Sequence, residues 1–138
     1  YIRIRDNGSG IPQAELALAL QRHATSKIAS LEDLHEVKSL GFRGEGLASM
    51  AAISMFSLSS RTAEAEHGWR VQVEAGQLRP PEPLALPLGT QVEMQDIYYN
   101  TPARRKFLKS DNTEYAHCLA VFTRIALAYP HIASQLQH

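Results

Sequence analysis

The sequence predicts an α+β fold, a two-layer sandwich in which a mixed, mostly antiparallel sheet carries its helices on one face. Two patterns predict it. Apolar and polar residues alternate over short segments such as 69–74 and 91–95, which is typical of strands covered on one face only. Other segments repeat apolar residues every three or four positions, as amphipathic helices do. A sheet whose strands are apolar on one face only is covered by helices on that face alone, so two layers are expected.

Two more alternating segments, residues 2–5 and 56–59, predict strands near the beginning and the middle of the chain. Residues 77–88 contain four prolines, which cannot donate to a strand ladder, so this stretch is predicted to be a loop or a sheet edge. Residues 132–136 are predicted as a possible last strand.

The helices are predicted from apolar spacing and from capping residues. The apolar spacing predicts helices over residues 12–22 and 115–129, and residues 45–53 are predicted to form a helix of small residues. Pro12 suits the first helical position, and Pro130 ends the last helix. Ser30, with Asp33 three residues later, is an N-cap pattern that predicts one more helix, which Gly41 ends.

The composition is that of an ordinary globular domain. The 138 residues are enough for one core, and the 44% of apolar and 20% of charged residues exclude the disordered and membrane classes. Fourteen basic and fourteen acidic residues cancel, so no overall field attracts nucleic acid or a membrane. The single cysteine, Cys118, excludes an internal disulfide and fits a reducing, cytoplasmic setting.

A turn motif, Asp-Asn-Gly-Ser-Gly at residues 6–10, ends the first strand. An ionised Asp6 only accepts hydrogen bonds, so it can take the amino group of adenine, and the two glycines let the backbone approach a ligand closely. An ordinary strand-to-helix turn is the alternative. A calcium loop is excluded, because Gly8, Gly10 and Ala17 stand where side-chain oxygens are needed.

A glycine motif, Gly-Phe-Arg-Gly-Glu-Gly at residues 41–46, precedes a predicted helix. Its backbone amides can bind phosphate oxygens. A P-loop is excluded, because Leu47 and Ala48 follow where lysine and a hydroxyl residue are needed. A plain helix-breaking turn is the alternative. Together with the polar residues 22–27, the motif can form a flexible lid over a phosphate chain.

Residues 98–109 are the only strongly basic stretch and also hold three aromatic residues. Its cations are Arg104, Arg105, Lys106 and Lys109. Cations beside aromatics can contact DNA phosphates, and a basic helix with buried aromatics is the commoner alternative. The six histidines show no paired ligand spacing, so no zinc site is predicted. No Ser, His and Asp order suggests an acyl-transfer nucleophile.

Five motifs in this order resemble the ATP-binding domain of MutL mismatch repair proteins, which belong to the GHKL superfamily of Bergerat-type ATPases. They lie at residues 6–10, 22–28, 41–47, 89–90 and 98–108. The first motif fits any member of the superfamily, whereas the lid pair and the Asn-Thr-Pro-Ala-Arg-Arg-Lys-Phe stretch resemble MutL specifically. A histidine kinase or a topoisomerase subunit is the less favoured alternative within the superfamily.

The resemblance implies a set of nucleotide-binding residues. Asp6 takes the adenine amino group, Thr90 assists through water, glycines of the first motif line the base, and two segments form the lid. The implied residues are Asp6, Asn7, Gly8, Gly10, Thr25, Ser26, Lys27, Gly41, Phe42, Arg43, Gly44, Glu45, Gly46, Leu47 and Thr90. Gly46 departs from the family pattern, which usually has alanine there, so a looser helix start with unchanged amide chemistry is expected.

The resemblance also implies cofactors and partners. These are ATP with Mg²⁺, a homodimer formed on ATP binding, DNA, a mismatch-recognition protein, a nicking endonuclease and a helicase. No membrane partner is expected, and the location implied is the bacterial cytoplasm in association with the nucleoid. Slow ATP hydrolysis would switch dimerisation and the recruitment of partners in the intact protein.

The family places its catalytic glutamate and its magnesium-binding asparagine on a helix before the first strand, and a lysine that senses the γ-phosphate in a following domain. The chain opens directly on the first strand at Tyr1, without an initiator methionine. Residues 1–138 are therefore expected to be a partial ATPase domain, cut at both ends, with no catalytic residue and no metal ligand. Hydrolysis by this chain alone is not expected. The alternative is a truncated, non-catalytic module for dimerisation or DNA contact.

Overall fold

The sheet is built around a long central hairpin. The computed structural model describes residues 1–22 and 44–138, and these form two compact units, Tyr1–Thr101 and Pro102–His138. The strands of the first unit are β1 (Ile2–Arg5), β2 (Met55–Arg61), β3 (Gly68–Glu74), β4 (Gln77–Leu78), β5 (Glu82–Leu84) and β6 (Gly89–Gln95). Its described helices are α1 (Gln13–Ala19) and α2 (Gly46–Ile53).

The strand order is β1-β6-β2-β3-β4, with β5 also paired to β3. Every pairing among the described strands is antiparallel. The register aligns apolar side chains in two rows across the sheet. One row holds Ile2, Met94, Phe56 and Val73, and the next holds Ile4, Val92, Leu58 and Val71.

The helices cover the face that carries these rows. Leu16 of α1 and Ala51 of α2 join the buried strand residues in one hydrophobic core. The fully buried side chains Phe56, Leu58 and Val71 lie at its centre. Burying a side chain of this size contributes about 1.5 to 3 kcal/mol, so the central hairpin anchors the unit. The predicted α+β class, with antiparallel strands and helices on one face, is confirmed.

The opposite face of the sheet is polar. The register places Arg3, Glu93, Ser57 and Gln72 in one row and Arg5, Gln91, Ser59 and Arg70 in the next. Arg70 bridges to Glu82 on β5, with 2.6 Å between Nη2 and Oε1. The alternation seen in the sequence therefore separates a helix-covered face from a polar one, as predicted for β2, β3 and β6.

The edge of the sheet explains the proline-rich stretch. Residues 77–88 supply the short strands β4 and β5, both paired to the outer side of β3. Residues 77–88, which were predicted to be a loop or a sheet edge, therefore contribute the edge of the sheet beside β3. At the other side, β1 pairs with β6, and Ile4 is 62% exposed although it lies in an apolar row.

The helix predicted over residues 12–22 is shorter in the structure. α1 begins after Pro12, which is the N-cap, and ends at Ala19. The amides of Leu20 and Gln21 donate to carbonyls three residues earlier, at 3.3 and 2.9 Å, which tightens the chain into a final turn. The helix predicted from Ser30 and Asp33, with its end at Gly41, lies outside the described residues.

The second unit contains a short helix α3 (Pro102–Arg105) and a long helix α4 (Asp111–Ala128). The long helix confirms the prediction over residues 115–129, with Tyr129 as its C-cap. The strand predicted over residues 132–136 is wrong, because Ile132 lies in a bend and residues 133–138 form no regular secondary structure. No helix in residues 1–22 and 44–138 is long and apolar enough to cross a membrane.

Candidate nucleotide site

A polar row continues the two apolar rows of the sheet. Asp6 follows β1, Thr90 lies in β6 opposite Ser60 of β2, and the Asp6 amide donates to the Thr90 carbonyl at 2.9 Å. These three residues occupy the positions that follow the apolar residues of each strand on the helix-covered face. The polar row is the candidate site for the nucleotide base.

Asp6 uses one carboxylate oxygen for structure. Its Oδ1 accepts the Gly8 amide at 2.9 Å and the Thr90 amide at 3.1 Å. The first contact forms the turn and the second joins it to a residue 84 positions away. Among the described residues, Oδ2 receives no hydrogen bond, and the side chain is exposed. The structure therefore brings Asp6, Gly8 and Thr90 together, and no described residue donates a hydrogen bond to the second carboxylate oxygen.

Two glycines allow the turn to lie against the sheet. Gly10 has φ +77°, and a Cβ there would lie 2.2 Å from the Arg61 carbonyl oxygen. Gly89 has φ +118°, and a Cβ there would lie 2.2 Å from the Asp6 carbonyl oxygen. Any side chain would push these segments apart. Glycine is thus required at position 10 by the close approach of the backbone at Arg61; the role predicted for Gly10 in lining the base stays a prediction. Asn7 lies between Asp6 and Gly8 and is exposed.

Sequence reasoning missed Ser60, the third member of the row. Its side chain is 1% exposed, and its Oγ contacts the Ile11 amide at 2.7 Å, the Gly89 carbonyl at 2.9 Å and Thr90 Oγ1 at 3.0 Å. The alternation of apolar and polar residues in β2 nevertheless contained a signal for Ser60. Phe56 and Leu58 mark the core face of β2, so two residues further on Ser60 is a polar residue on that same face.

The N-terminus of α2 presents the described part of the predicted lid. Gly44 has φ +65°, and the N-cap Glu45 makes no side-chain capping bond. The Glu45 carbonyl accepts the Ser49 amide at 2.9 Å, which begins the helix. Gly46 is exposed and Leu47 packs against the core. The first amides of a helix lack carbonyl partners within the helix, so this end can bind an anion.

The remaining lid residues lie outside the described part of the chain. These are Thr25, Ser26, Lys27, Gly41, Phe42 and Arg43. Their predicted contacts with the phosphates stay predictions.

The C-terminus of α2 is held by residues 96–101, which we call the α2 latch. The Tyr98 amide donates to the Ile53 carbonyl at 2.6 Å, and Asn100 Nδ2 donates to the Ala52 carbonyl at 2.9 Å. The Tyr99 hydroxyl accepts the Ala75 amide at 2.6 Å. Tyr98 has φ +65°, a conformation that non-glycine residues rarely adopt. The latch therefore ties the last turn of α2 to the turn after β3.

The basic stretch divides between the two units. Tyr98 and Tyr99 belong to the latch and are half-buried, whereas Phe107 in the second unit is 79% exposed. The cations Arg104, Arg105, Lys106 and Lys109 are all exposed. The alternative of a basic helix with buried aromatics is therefore wrong for Phe107.

Metal ligands are not gathered in the described residues. In residues 1–22 and 44–138, no group of three or more His, Cys, Asp or Glu side chains is placed to hold a metal ion. The candidate site thus consists of hydrogen-bonding groups for a base and helix amides for an anion.

Comparison with known proteins agrees with this geometry. The DNA mismatch repair protein MutL of Thiobacillus denitrificans is 55% identical over 137 residues, which are 99% of this chain and 23% of that protein. The MutL of Neisseria meningitidis serogroup C is 55% identical over 136 residues, again 99% of this chain and 21% of that protein. Over 99% of its length, the chain is similar to one part of MutL mismatch repair proteins. It spans about a fifth of the length of these curated relatives.

Solved MutL structures share the fold. The Aquifex aeolicus MutL ATPase domain complexed with ADP superposes with a TM-score of 0.68 at 32% identity, and the match covers 94% of this chain and 44% of that one. The N-terminal domain of a DNA repair protein matches with a TM-score of 0.66 at 26% identity, over 87% of this chain and 34% of that one. No protein-family model matches the chain. The similarity to the MutL ATPase domain of Aquifex aeolicus confirms the predicted GHKL-type fold.

Proposed function

We propose that this chain forms the adenine-binding part of an ATP site in a MutL-type mismatch repair protein. The observation that carries the proposal is the pair formed by Asp6 and Thr90. One carboxylate oxygen holds the turn, and the other is left to accept the amino group of adenine. The similarity to a MutL ATPase domain complexed with ADP supports the same ligand class.

The phosphates are assigned to the N-terminus of α2. The amides that follow Gly44 can donate to phosphate oxygens, and hydrogen bonds to charged groups contribute about 1.5 to 3 kcal/mol each. The helix dipole favours an anion at the same end. Gly46 carries the backbone amide that any residue would offer, so its difference from the usual alanine affects helix order and leaves the binding chemistry unchanged.

Magnesium is the implied companion of ATP. It prefers oxygen ligands and usually keeps waters and phosphate oxygens in its shell. Since the described residues gather no acidic cluster, the proposal assigns magnesium no ligand among them. When bound, the ion would neutralise phosphate charge.

A polypeptide of residues 1–138 alone is proposed not to hydrolyse ATP. Asp6 is occupied by the turn and the base, and Glu45 is the N-cap of α2. Both acids of the matching motifs thus have other proposed roles, Asp6 at the base and Glu45 in the lid, and neither is proposed as the general base. A missing general base lowers a rate by about 10² to 10⁴. Hydrolysis is assigned to the whole protein, with catalytic residues beyond these 138.

For the whole protein we propose the role of an ATP-controlled switch in mismatch repair. ATP binding would drive dimerisation and the recruitment of DNA, a mismatch-recognition protein, a nicking endonuclease and a helicase, in the bacterial cytoplasm at the nucleoid. The names of the relatives support mismatch repair as the process. A module for DNA contact alone is the second candidate, favoured by the exposed cations Arg104, Arg105 and Lys106.

The test measures nucleotide binding and turnover, with magnesium, for the 138-residue polypeptide and for the full-length protein. We expect binding and slow turnover by the full-length protein and no turnover by the shorter polypeptide. Turnover by residues 1–138 would contradict the assignment of catalysis to residues beyond them. A full-length protein that binds DNA and no nucleotide would favour the second candidate.

A further inference from the structure

The α2 latch holds the C-terminal end of α2. The Ile53 carbonyl accepts the Tyr98 amide at 2.6 Å, and the Ala52 carbonyl accepts Asn100 Nδ2 at 2.9 Å. Ala51, one residue earlier, is 7% exposed and belongs to the hydrophobic core. The last turn of the helix is therefore fixed by hydrogen bonds to its end carbonyls and by burial.

The first turn of α2 has weaker support from the described residues. Glu45, the N-cap, makes no side-chain capping bond to the helix amides. The hydrogen bond that closes the turn runs from the Ser49 amide to the Glu45 carbonyl at 2.9 Å and spans Gly46. Leu47 is half-buried against the core and favours the closed turn. The closed turn thus depends on one packed side chain and on the helix propensity of its residues.

Glycine at position 46 opposes the closed turn. Gly46 begins α2, is exposed, and does not have a positive φ angle. A Cβ added there would meet no described atom within 4 Å, so neither the backbone conformation nor the available space requires glycine. Glycine gives the open chain more conformations than alanine does, and this favours opening. The residue at this position therefore lowers the stability of the first turn in particular.

We propose that α2 is hinged at its C-terminal end and that its first turn, residues 45–49, opens and closes within the folded protein, with Gly46 setting the balance. Opening breaks the hydrogen bond of the Ser49 amide and leaves residues 51–53 in place, because the latch and the core hold them. The alternative is that all eight residues of the helix open together, since short helices are cooperative.

The experiment measures hydrogen exchange of single amides in the full-length protein without nucleotide. In the wild type, we expect the Ser49 amide to have a lower protection factor than the Ile53 amide, which lies at the latched end. In Gly46→Ala, the protection of Ser49 should rise about twofold to fivefold, because the open chain loses conformations, while that of Ile53 stays the same. Equal protection of the two amides in the wild type, or an unchanged Ser49 amide in Gly46→Ala, overturns the proposal.

The matched control is Ala52→Gly, which makes the reverse change at the other end of the same helix. Ala52 is exposed, as Gly46 is. Because the latch holds the Ala52 carbonyl, the protection of the Ser49 amide should keep its wild-type value. If Ala52→Gly lowers the protection of Ser49 as much as Gly46→Ala raises it, the helix opens as one unit and the hinge is overturned.

The hinge also regulates the proposed phosphate binding, and this expectation rests on the proposed function. A ligand that uses the first amides of α2 binds only the closed turn, so its apparent affinity falls with the closed fraction. ADP affinity, measured by titration calorimetry, should therefore rise about twofold to fivefold in Gly46→Ala and stay unchanged in Ala52→Gly. A higher protection of Ser49 without a gain in ADP affinity overturns the coupling to the ligand. A wild type that binds no ADP overturns the proposed function, whereas the exchange of the free protein decides on the hinge.

Discussion

Asp6 divides its carboxylate between the fold and the ligand. Oδ1 accepts two backbone amides, so removing the whole side chain would loosen the turn as well as the site. Asparagine separates these two roles. Its carbonyl oxygen can replace Oδ1, and its amide group then stands in the place of Oδ2 and donates instead of accepting.

Asp6→Asn is therefore expected to keep the melting temperature near that of the wild type and to weaken ADP binding about tenfold to a hundredfold, since a hydrogen bond to a charged group is lost. Calorimetric titration and thermal unfolding measure the two effects. Asp111→Asn, at an exposed carboxylate in α4, is the charge-matched control and should leave ADP affinity unchanged. Normal affinity in Asp6→Asn would refute the role given to Oδ2.

At the scale of single residues, the sequence indicated candidate residues of the site but not the hydrogen bonds that join them. The Asp6 and Thr90 pair came from the motif resemblance, and the structure joins them. Ser60 needed the strand register, because only the pairing of β2 with β6 shows that its hydroxyl meets Thr90. Local sequence does not contain that register, which depends on residues about 30 positions apart along the chain.

The two ends of helix α2 make different kinds of contact. Its N-terminus carries the amides proposed for phosphate, and its C-terminal carbonyls are held by the α2 latch. The latch could not be predicted, since Tyr98 adopts a positive φ angle of 65° that tyrosine rarely adopts. The helix itself was predicted, because its run of small residues is a local pattern in the sequence.

Asn100→Asp tests the latch. The aspartate cannot donate to the Ala52 carbonyl and adds negative charge at the negative end of the helix dipole, so α2 should lose about 1 to 2 kcal/mol of local stability. Hydrogen exchange of the amides in residues 46–53 measures it. Asn112→Asp, in the first turn of α4, is the control and should leave that exchange unchanged. Equal protection in Asn100→Asp would show that the latch does not support α2.

On the scale of the whole chain, the described residues of the proposed nucleotide site lie in the first unit, and the exposed cations of the basic stretch lie in the second. The division was not visible in the sequence, where the basic stretch runs continuously across Thr101 and Pro102. The 14 basic and 14 acidic residues of the chain balance, so the basic stretch is the local feature that we propose for contact with DNA.

Reversing Arg104 and Arg105 to glutamate should weaken DNA binding by the full-length protein and lower its salt dependence. If each arginine contacts one phosphate, the slope of log K against log salt should decrease in magnitude by about 0.9 for each. Binding measured at several salt concentrations gives both values. Arg124→Glu in α4 is the control for charge. An unchanged slope would remove DNA contact from the basic stretch.

The proline-rich edge has a consequence for the behaviour of the protein at high concentration. A free outer strand offers unpaired amides and carbonyls that can recruit a strand from another molecule, the first step of β-aggregation. Here β3 is covered by two very short strands, and Pro80, Pro81 and Pro83 have no N–H to donate to a newcomer. The prolines that interrupt the strand pattern thus oppose the addition of a further strand at this edge of the sheet.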